Sequence, residues 1–191
     1  MRKIISKYKE EKRRKRNGIV IGLILVGIMV FSILGYSFSG GEKTNSNKIT
    51  YHNLEFEEQN GFWSTNIGNT LFVFKYNPTQ VEEIDANLSN VNNYYNKPLY
   101  IYSENKEAES EIYRNLFYQN QIVQRMQYAC LEGETCEEDL PVKTCEDNFI
   151  IIKEANISKI TQDENCAIIE GEQANLTKVS DEFLFRIFGI R

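Results

Sequence analysis

A long uncharged run near the start of the chain constrains its structure more than any other feature. Residues 18–38 carry no charged side chain, and nearly all of them are apolar. About twenty such residues form a helix that crosses the roughly 30 Å hydrocarbon core of a bilayer. An isolated span must be helical, because its backbone polar groups find no water there to bond. We therefore predict a transmembrane helix at residues 18–38.

The charge on the two sides of this run predicts an orientation. Residues 1–17 hold nine Lys or Arg and two Glu, a net +7, which leaves −12 for the remainder of a chain of net charge −5. Because short basic flanks stay in the cytoplasm, we expect residues 1–17 to be a cytoplasmic arm on the cell membrane. The run then acts as a signal-anchor. A cleaved signal peptide and a processed pilin-like precursor remain open alternatives.

The remainder of the chain has the size and composition of one folded domain. Residues 39–49 are rich in Gly, Ser and Asn, which predicts a flexible tether. Residues 50–191 suit a single domain, which we place on the extracytoplasmic side. Its acidity argues against nucleic acid as a partner, since phosphate binding needs clustered Lys and Arg. The expected partners are the lipid bilayer and a protein of the membrane or envelope.

Residue patterns in this domain predict an α+β fold, with one mixed β-sheet and two main helices. A helix is expected from Glu104 to about Tyr128, with an N-cap at Ser103, and a second helix at residues 173–188. Strands are expected at residues 51–56, 70–76, 98–102, 149–153, 157–160 and 166–170. The first two belong to an antiparallel unit and the last two to a hairpin. A right-handed crossover would make strand 98–102 parallel to strand 149–153.

The chain has four cysteines, and all of them follow the apolar run: Cys130, Cys136, Cys145 and Cys166. Four thiols outside the cytoplasm are typical of two disulfides, for which three connectivities exist. Our preferred pairing joins Cys130 to Cys136 and Cys145 to Cys166. A zinc site is the alternative, although the spacings differ from the usual C-x2-C.

Three sequence triplets match the N-glycosylation acceptor pattern, and they begin at Asn87, Asn156 and Asn175. All three lie on the predicted outer side of the membrane. We therefore predict a glycoprotein, and Asn175 is the least accessible candidate because it lies near a helix start.

No catalytic motif is present in the sequence. His52 is the single histidine, no G-x-S-x-G elbow follows it, and neither nucleotide-binding glycine pattern occurs. We predict no catalytic residue, cofactor or metal. Acidic runs at 57–58, 82–85 and 137–139 are typical of solvated surfaces, but paired carboxylates of a hydrolase or sugar-acting enzyme would also be drawn from such residues. Calcium binding in the loop 132–139 is a further alternative, because oxygen ligands suit that ion, although the loop lacks an EF-hand pattern.

Four segments of the domain carry a resemblance. They are residues 140–145 (LPVKTC), 148–152 (NFIII), 165–171 (NCAIIEG) and 181–190 (DEFLFRIFGI). In them the chain resembles uncharacterised archaeal single-span membrane proteins with a four-cysteine extracytoplasmic domain. The resemblance implies the same topology and paired cysteines, and no activity.

The leading functional hypothesis is a membrane-anchored, non-enzymatic interaction or structural domain of the cell envelope. A hydrolase or sugar-acting enzyme with paired carboxylates is one alternative. A subunit of a larger membrane complex is the other. A cleft with two facing carboxylates would favour the enzyme, whereas an exposed apolar surface would favour a partner.

Overall fold

The computed structural model describes residues 7–39, 47–133 and 139–191. The chain forms two compact units, Met1–Asn45 and Ser46–Arg191. The first contains helix α1, Lys7–Ser39. Its segment Arg13–Ser32 has a mean hydropathy of 1.6 and is long and apolar enough to cross a membrane. The helix begins within the predicted basic arm, and most of the predicted tether, residues 40–46, lies outside the described residues.

The second unit begins with a four-stranded antiparallel sheet in the order β1-β2-β3-β4. Its strands are β1 Lys48–Tyr51, β2 Leu54–Gln59, β3 Phe62–Ile67 and β4 Thr70–Phe74. Two-residue turns connect them, and in the β2–β3 turn Asn60 and Gly61 have φ of 54° and 77°. Positive φ at both central residues suits the twist of a tight hairpin, and Asn-Gly adopts it readily. The predicted antiparallel unit is present, but the strand predicted at residues 51–56 was wrong in its bounds, because His52 and Asn53 form the turn between β1 and β2 with positive φ.

A five-stranded mixed sheet follows, in the order β10-β11-β9-β5-β6. Strands β5 and β9 are parallel, as are β5 and β6, whereas β10 and β11 form an antiparallel hairpin. These strands are β5 Pro98–Ser103, β6 Arg125–Tyr128, β9 Phe149–Glu154, β10 Lys159–Asp163 and β11 Cys166–Gly171. The predicted parallel pair and hairpin are confirmed. The prediction of one sheet was wrong, because the described residues also contain the antiparallel sheet and a short parallel pair, β7 Cys130–Leu131 with β8 Val142–Lys143.

The helix predicted from Glu104 to Tyr128 is much shorter in the structure. Helix α2 spans Lys106–Ile112, a π-helical segment covers Tyr113–Tyr118, and the following chain becomes β6. Gln121 adopts φ 47°, which reverses the chain direction. The apolar positions beyond it keep a helical spacing, but Ile122 and Val123 join the main core from the segment before β6, and Met126 packs against that core from the strand. The N-cap is Asn105, not Ser103, and its Oδ1 accepts from the N–H groups of Glu107 and Ala108.

The remaining helical elements are a 3₁₀ turn, Val91–Asn93, and helix α3, Leu176–Ile187, which confirms the predicted final helix. Strand β9 lies at the centre of the domain, since its residues 149–152 are all 0–1% exposed. Ile150 and Ile152 join the main core with Phe185 of α3. Phe149 and Ile151 pack on the opposite face of the sheet, against Tyr100. The apolar run therefore forms a strand covered on both faces, as predicted.

Candidate functional site

The three cysteines that the structure describes, Cys130, Cys145 and Cys166, are buried or half-buried. Cys145 and Cys166 form a disulfide with their Cα atoms 4.9 Å apart, and Cys166 begins β11. This is one of the two predicted pairs. Cys130 is 4% exposed in β7, and its predicted partner Cys136 lies outside the described residues. No cluster of three or more potential metal-ligating side chains occurs within residues 7–39, 47–133 and 139–191.

The three glycosylation candidates differ in accessibility. Asn87 and Asn156 are exposed, the second in the loop between β9 and β10. Asn175 is half-buried and precedes α3, and the hydroxyl-bearing residue of its triplet, Thr177, is 6% exposed. Its side chain donates to Glu172 at 3.4 Å. The folded domain therefore presents Asn87 and Asn156 to solvent and withholds Asn175.

His52 and the acidic runs were the residues that the sequence offered for chemistry. In the structure, those that are described either contact other parts of the fold or lie exposed. His52 occupies the β1–β2 turn, with Nδ1 3.2 Å from the carbonyl oxygen of Ile190. Glu83 and Asp85 are exposed and approach Arg186 at 3.7 and 3.9 Å. Of the third acidic run, Asp139 is exposed, and residues 137–138 lie outside the described residues. The structure brings none of the described members of these runs into a facing pair inside a cleft.

A buried polar cluster that sequence analysis missed lies where the helices meet the outer edge of β4. Asn115, in the π-helical segment, is 0% exposed. Its Oδ1 accepts from the N–H of Val73 at 3.0 Å, and its Nδ2 donates to the carbonyl oxygen of Val73 at 2.8 Å. The amide side chain thus bonds β4 as a neighbouring strand would. We call this boundary the closed β4 edge.

Two carboxyl groups continue the closed β4 edge. Oε2 of Glu111 accepts from the N–H of Lys75 at 3.2 Å and from the Arg114 guanidinium at 2.7 Å. Oδ2 of Asp181, in α3, accepts from the N–H of Tyr76 at 2.8 Å. Glu111 is 3% exposed and Asp181 is 0% exposed. Each carboxyl group therefore satisfies a backbone N–H that would otherwise be unpaired beneath the helices.

The two carboxyl groups are neighbours in this buried site and shift each other's pKa, and like charges so close favour a proton on one of them. Burial, followed by the neighbouring Glu111 charge, raises the pKa of Asp181 well above its ordinary 3.8. Burial also raises the pKa of Glu111, but the Arg114 guanidinium opposes that shift. Oδ1 of Asp181 faces no other donor. We therefore assign the proton to Asp181, which donates it to Glu111.

A second buried carboxylate, Glu182, joins α3 to the loop after β4. It is 0% exposed and accepts from the Arg186 Nε at 2.9 Å, from the N–H of Ile84 at 3.3 Å and from the Arg191 guanidinium. Burial raises its pKa, and Arg191 opposes the shift most strongly. Arg191 also donates to the carbonyl oxygen of Pro78. This cluster holds the loop against α3 and leaves no free carboxylate oxygen for a substrate.

Two of the pockets at the surface of the described residues lie near side chains of interest. One, of about 160 Å³, lies beside Asn175, Lys178 and Glu82. The other, of about 290 Å³, lies between α2 and β6. Sites for small ligands usually measure roughly 300–1,000 Å³, so both are small for that purpose. Neither is lined by Glu111, Asp181 or Glu182.

The larger pocket, which we call the β6 groove, has aromatic walls. Its lining side chains include Tyr113 and Glu109 from the helical side, and Met126 and Tyr128 from β6. Tyr113 and Tyr128 are 42% and 44% exposed. Tyr128 donates to Glu109, and the Lys106 ammonium lies 4.7 Å from the Tyr128 ring centre. The hydrogen bond to the Glu109 carboxylate raises the pKa of Tyr128.

The missed acids have a sequence signal that was available. Glu111 follows Ala108 by three residues and directly precedes Ile112, and Asp181 and Glu182 lie between Val179 and Phe183. An acid on the apolar stripe of an amphipathic helix marks a buried carboxylate that needs partners. The local sequence pattern does not show that those partners are backbone groups at β4.

Comparison of the chain with known protein families, with curated proteins and with solved structures finds no match.

Proposed function

We propose that this chain is a single-span membrane protein that holds a non-enzymatic interaction domain on the outer side of the cell membrane. Helix α1 contains the segment Arg13–Ser32, which is long and apolar enough for one crossing. The net +7 of residues 1–17 favours a cytoplasmic N-terminus, and the disulfide of Cys145 with Cys166 suits an oxidising compartment. The resemblance to uncharacterised archaeal single-span membrane proteins implies the same topology, and it stays a prediction.

The observation that carries the interaction function is the β6 groove. It combines exposed aromatic surface with a sheet edge that faces solvent, and both features favour contact with another protein. A peptide side chain is of the right size for a pocket of about 290 Å³. Tyr113 and Tyr128 present large amphipathic rings, the kind of side chain enriched at protein interfaces.

The enzyme alternative receives less support from the same structure. Glycoside chemistry needs two carboxyl groups about 5–10 Å apart across an accessible cleft. Glu111 and Asp181 are paired but buried, and their oxygens bond to Lys75, Tyr76 and Arg114. The pair closes a strand edge and offers a substrate no access. The subunit alternative stays a prediction, since a partner within the membrane would contact α1.

Cysteine labelling in intact cells tests the topology. Ile157 is 76% exposed in the domain and Lys15 is exposed in α1. A membrane-impermeant maleimide should label Ile157→Cys in intact cells and Lys15→Cys only after permeabilisation. The reverse pattern would place the domain in the cytoplasm and overturn the proposal.

Photo-crosslinking tests the interaction. Benzoylphenylalanine at Tyr113 should give a discrete crosslinked protein in native membranes, whereas the same probe at Ile157 should not. Met126→Glu, which places a charge in the groove, should abolish the Tyr113 product. Equal crosslinking from both positions, or none from Tyr113, would contradict an interaction role for the groove.

A further inference from the structure

We infer that β6 accepts an extended segment of a partner protein as an added strand, and that this segment alternates apolar and acidic side chains. The inference rests on the proposed interaction function and names the chemistry of its partner. It depends on three observations: the direction of the backbone groups of β6, the groove on one face of β6, and a cation on the other face.

Along β6, the backbone N–H and carbonyl groups of alternate residues point away from β5, out of the edge of the sheet. The N–H of Ala129 donates to the carbonyl oxygen of Ile101 at 3.1 Å, so Ala129 points toward β5. Backbone groups alternate along a strand, which turns those of Tyr128 and Met126 away from β5. In the part of the chain that the structure describes, no turn, loop or side-chain hydrogen bond involves the backbone N–H of either residue. Another extended backbone matches such a row of donors and acceptors.

The groove gives an added strand a place for apolar side chains. Met126 and Tyr128 are aligned with Leu99 and Ile101 of β5, on the face of the sheet that packs against α2. A strand laid along β6 would present every second side chain to this face. One of them would enter the space of about 290 Å³ between Tyr113 and Tyr128. An aliphatic or aromatic side chain would pack against these two tyrosine rings.

The opposite face of β6 carries positive charge. Arg125 is exposed and its Nη2 donates to the Tyr100 hydroxyl at 3.1 Å. Lys143 lies on the same face, 4.3 Å from the Tyr100 ring centre, and pairs with Asp147 at 3.4 Å. Lys143 and Arg125 lower the pKa of Tyr100, because both cations favour its ionised form. Among the described residues, no carboxylate forms an ion pair with Arg125, so the intervening side chains of the partner should be acidic.

Seven-residue labelled peptides test the inference against the full-length chain in nanodiscs. Acetyl-Val-Glu-Leu-Glu-Val-Glu-Val-amide should bind about tenfold more tightly than the same residues in block order, as measured by fluorescence anisotropy. Methylation of one alternate set of peptide backbone nitrogens should abolish binding, and methylation of the other set should not. Equal binding of both peptide orders, or equal effects of both methylated sets, would overturn strand addition.

Charge reversal at Arg125 on β6 is the second test of the inference. Arg125→Glu should weaken the Glu peptide about fivefold and favour its Lys counterpart. Arg125→Gln should weaken the Glu peptide without favouring the Lys peptide. Fluorescence of Trp63, the single tryptophan, checks that both variants fold, since its side chain is buried in β3. An unchanged preference for Glu in folded Arg125→Glu would refute the acidic partner.

Two outcomes separate this inference from the proposed function. If Tyr113 crosslinks a native partner but no alternating peptide binds, the interaction role stands and strand addition fails. If neither occurs, both fail. A symmetric dimer that crosslinks through Gln127→Cys on β6 would show that a second copy of this chain occupies the edge, which would also overturn the inference.

Discussion

Val73 on β4 and Met126 on β6 each direct a backbone N–H out of a sheet edge, but their surroundings differ. The N–H of Val73 meets Oδ1 of Asn115 at 3.0 Å beneath the helices. For Met126, the described residues supply no equivalent acceptor, and the edge adjoins the open β6 groove. One sheet edge is thus closed by side chains, and the other faces solvent.

The difference follows from what each edge packs against. The π-helical segment packs against β4 and helix α3 brings Asp181 to the N–H of Tyr76 just beyond it, so side chains replace water at these backbone groups. Each such group left unpaired costs roughly 1–3 kcal/mol, which favours Asn115, Glu111 and Asp181 at these positions. At β6 water satisfies the backbone, and no polar side chain is needed there. An edge without such side chains keeps its ability to pair with another strand.

Hydrogen exchange should give the largest contrast between the two edges. We expect the amide of Val73 to exchange at least about a thousandfold more slowly than that of Met126, because the first opens only with much of the domain. NMR of the full chain in micelles measures both amides. Similar protection at both sites would mean that β6 already has a partner.

Removing the amide of Asn115 should be the most damaging single change at the closed edge. Asn115→Ala strands the buried N–H and carbonyl of Val73 and should lower the free energy of unfolding by about 3 kcal/mol. Urea unfolding followed by Trp63 fluorescence measures this loss. The exposed Asn92→Ala should stay within about 0.5 kcal/mol. Equal effects of the two substitutions would contradict the closure of β4.

A matched pair of arginines compares the edges directly. Arg114→Ala removes the partner of the buried Glu111 and should cost about 2 kcal/mol, whereas Arg125→Ala at β6 should cost under about 0.5 kcal/mol. The same unfolding measurement applies to both variants. A larger loss for Arg125→Ala would show that the Tyr100 contact is structural and that β6 is not a free edge.

The shared proton should produce a small pH dependence. Because the pKa of Asp181 is raised above 3.8, the folded chain holds a proton that the unfolded chain has lost, and this contribution to stability falls as the pH rises above about 4. Asp181→Asn keeps an acceptor for Tyr76 and a donor for Glu111 without ionising. At pH 8 it should be about 1 kcal/mol more stable than the unmodified chain.

The control for this prediction is an exposed acid. Asp163→Asn, at the end of β10, should leave the slope of stability against pH unchanged. If Asp181→Asn retains the full slope, the proton does not lie between Asp181 and Glu111. In that case Asp181 is an ionised acceptor, and the cluster at β4 would need a different account.

Elements whose signal is local were predictable. The apolar helix, the strand at residues 149–152 and the final helix follow from short stretches of sequence. In each, the apolar residues form a continuous run or a stripe that is visible in the segment itself. The pairing of Cys145 with Cys166 was also anticipated. The end of α2 was not, since Ile122, Val123 and Met126 keep a helical spacing although the chain has left the helix there and enters β6.

The candidate site likewise has features that follow from the local sequence and features that do not. The sequence by itself determined an apolar segment able to span a membrane, an acidic mixed domain, and the acids Glu111 and Asp181 on helix faces. Only the tertiary structure decided that these acids and Asn115 close β4 while β6 stays open. That choice depends on which edge the helices cover, a contact between residues up to 105 positions apart, as in Tyr76 with Asp181. Local patterns encode what must be buried, whereas the fold decides which polar groups meet there.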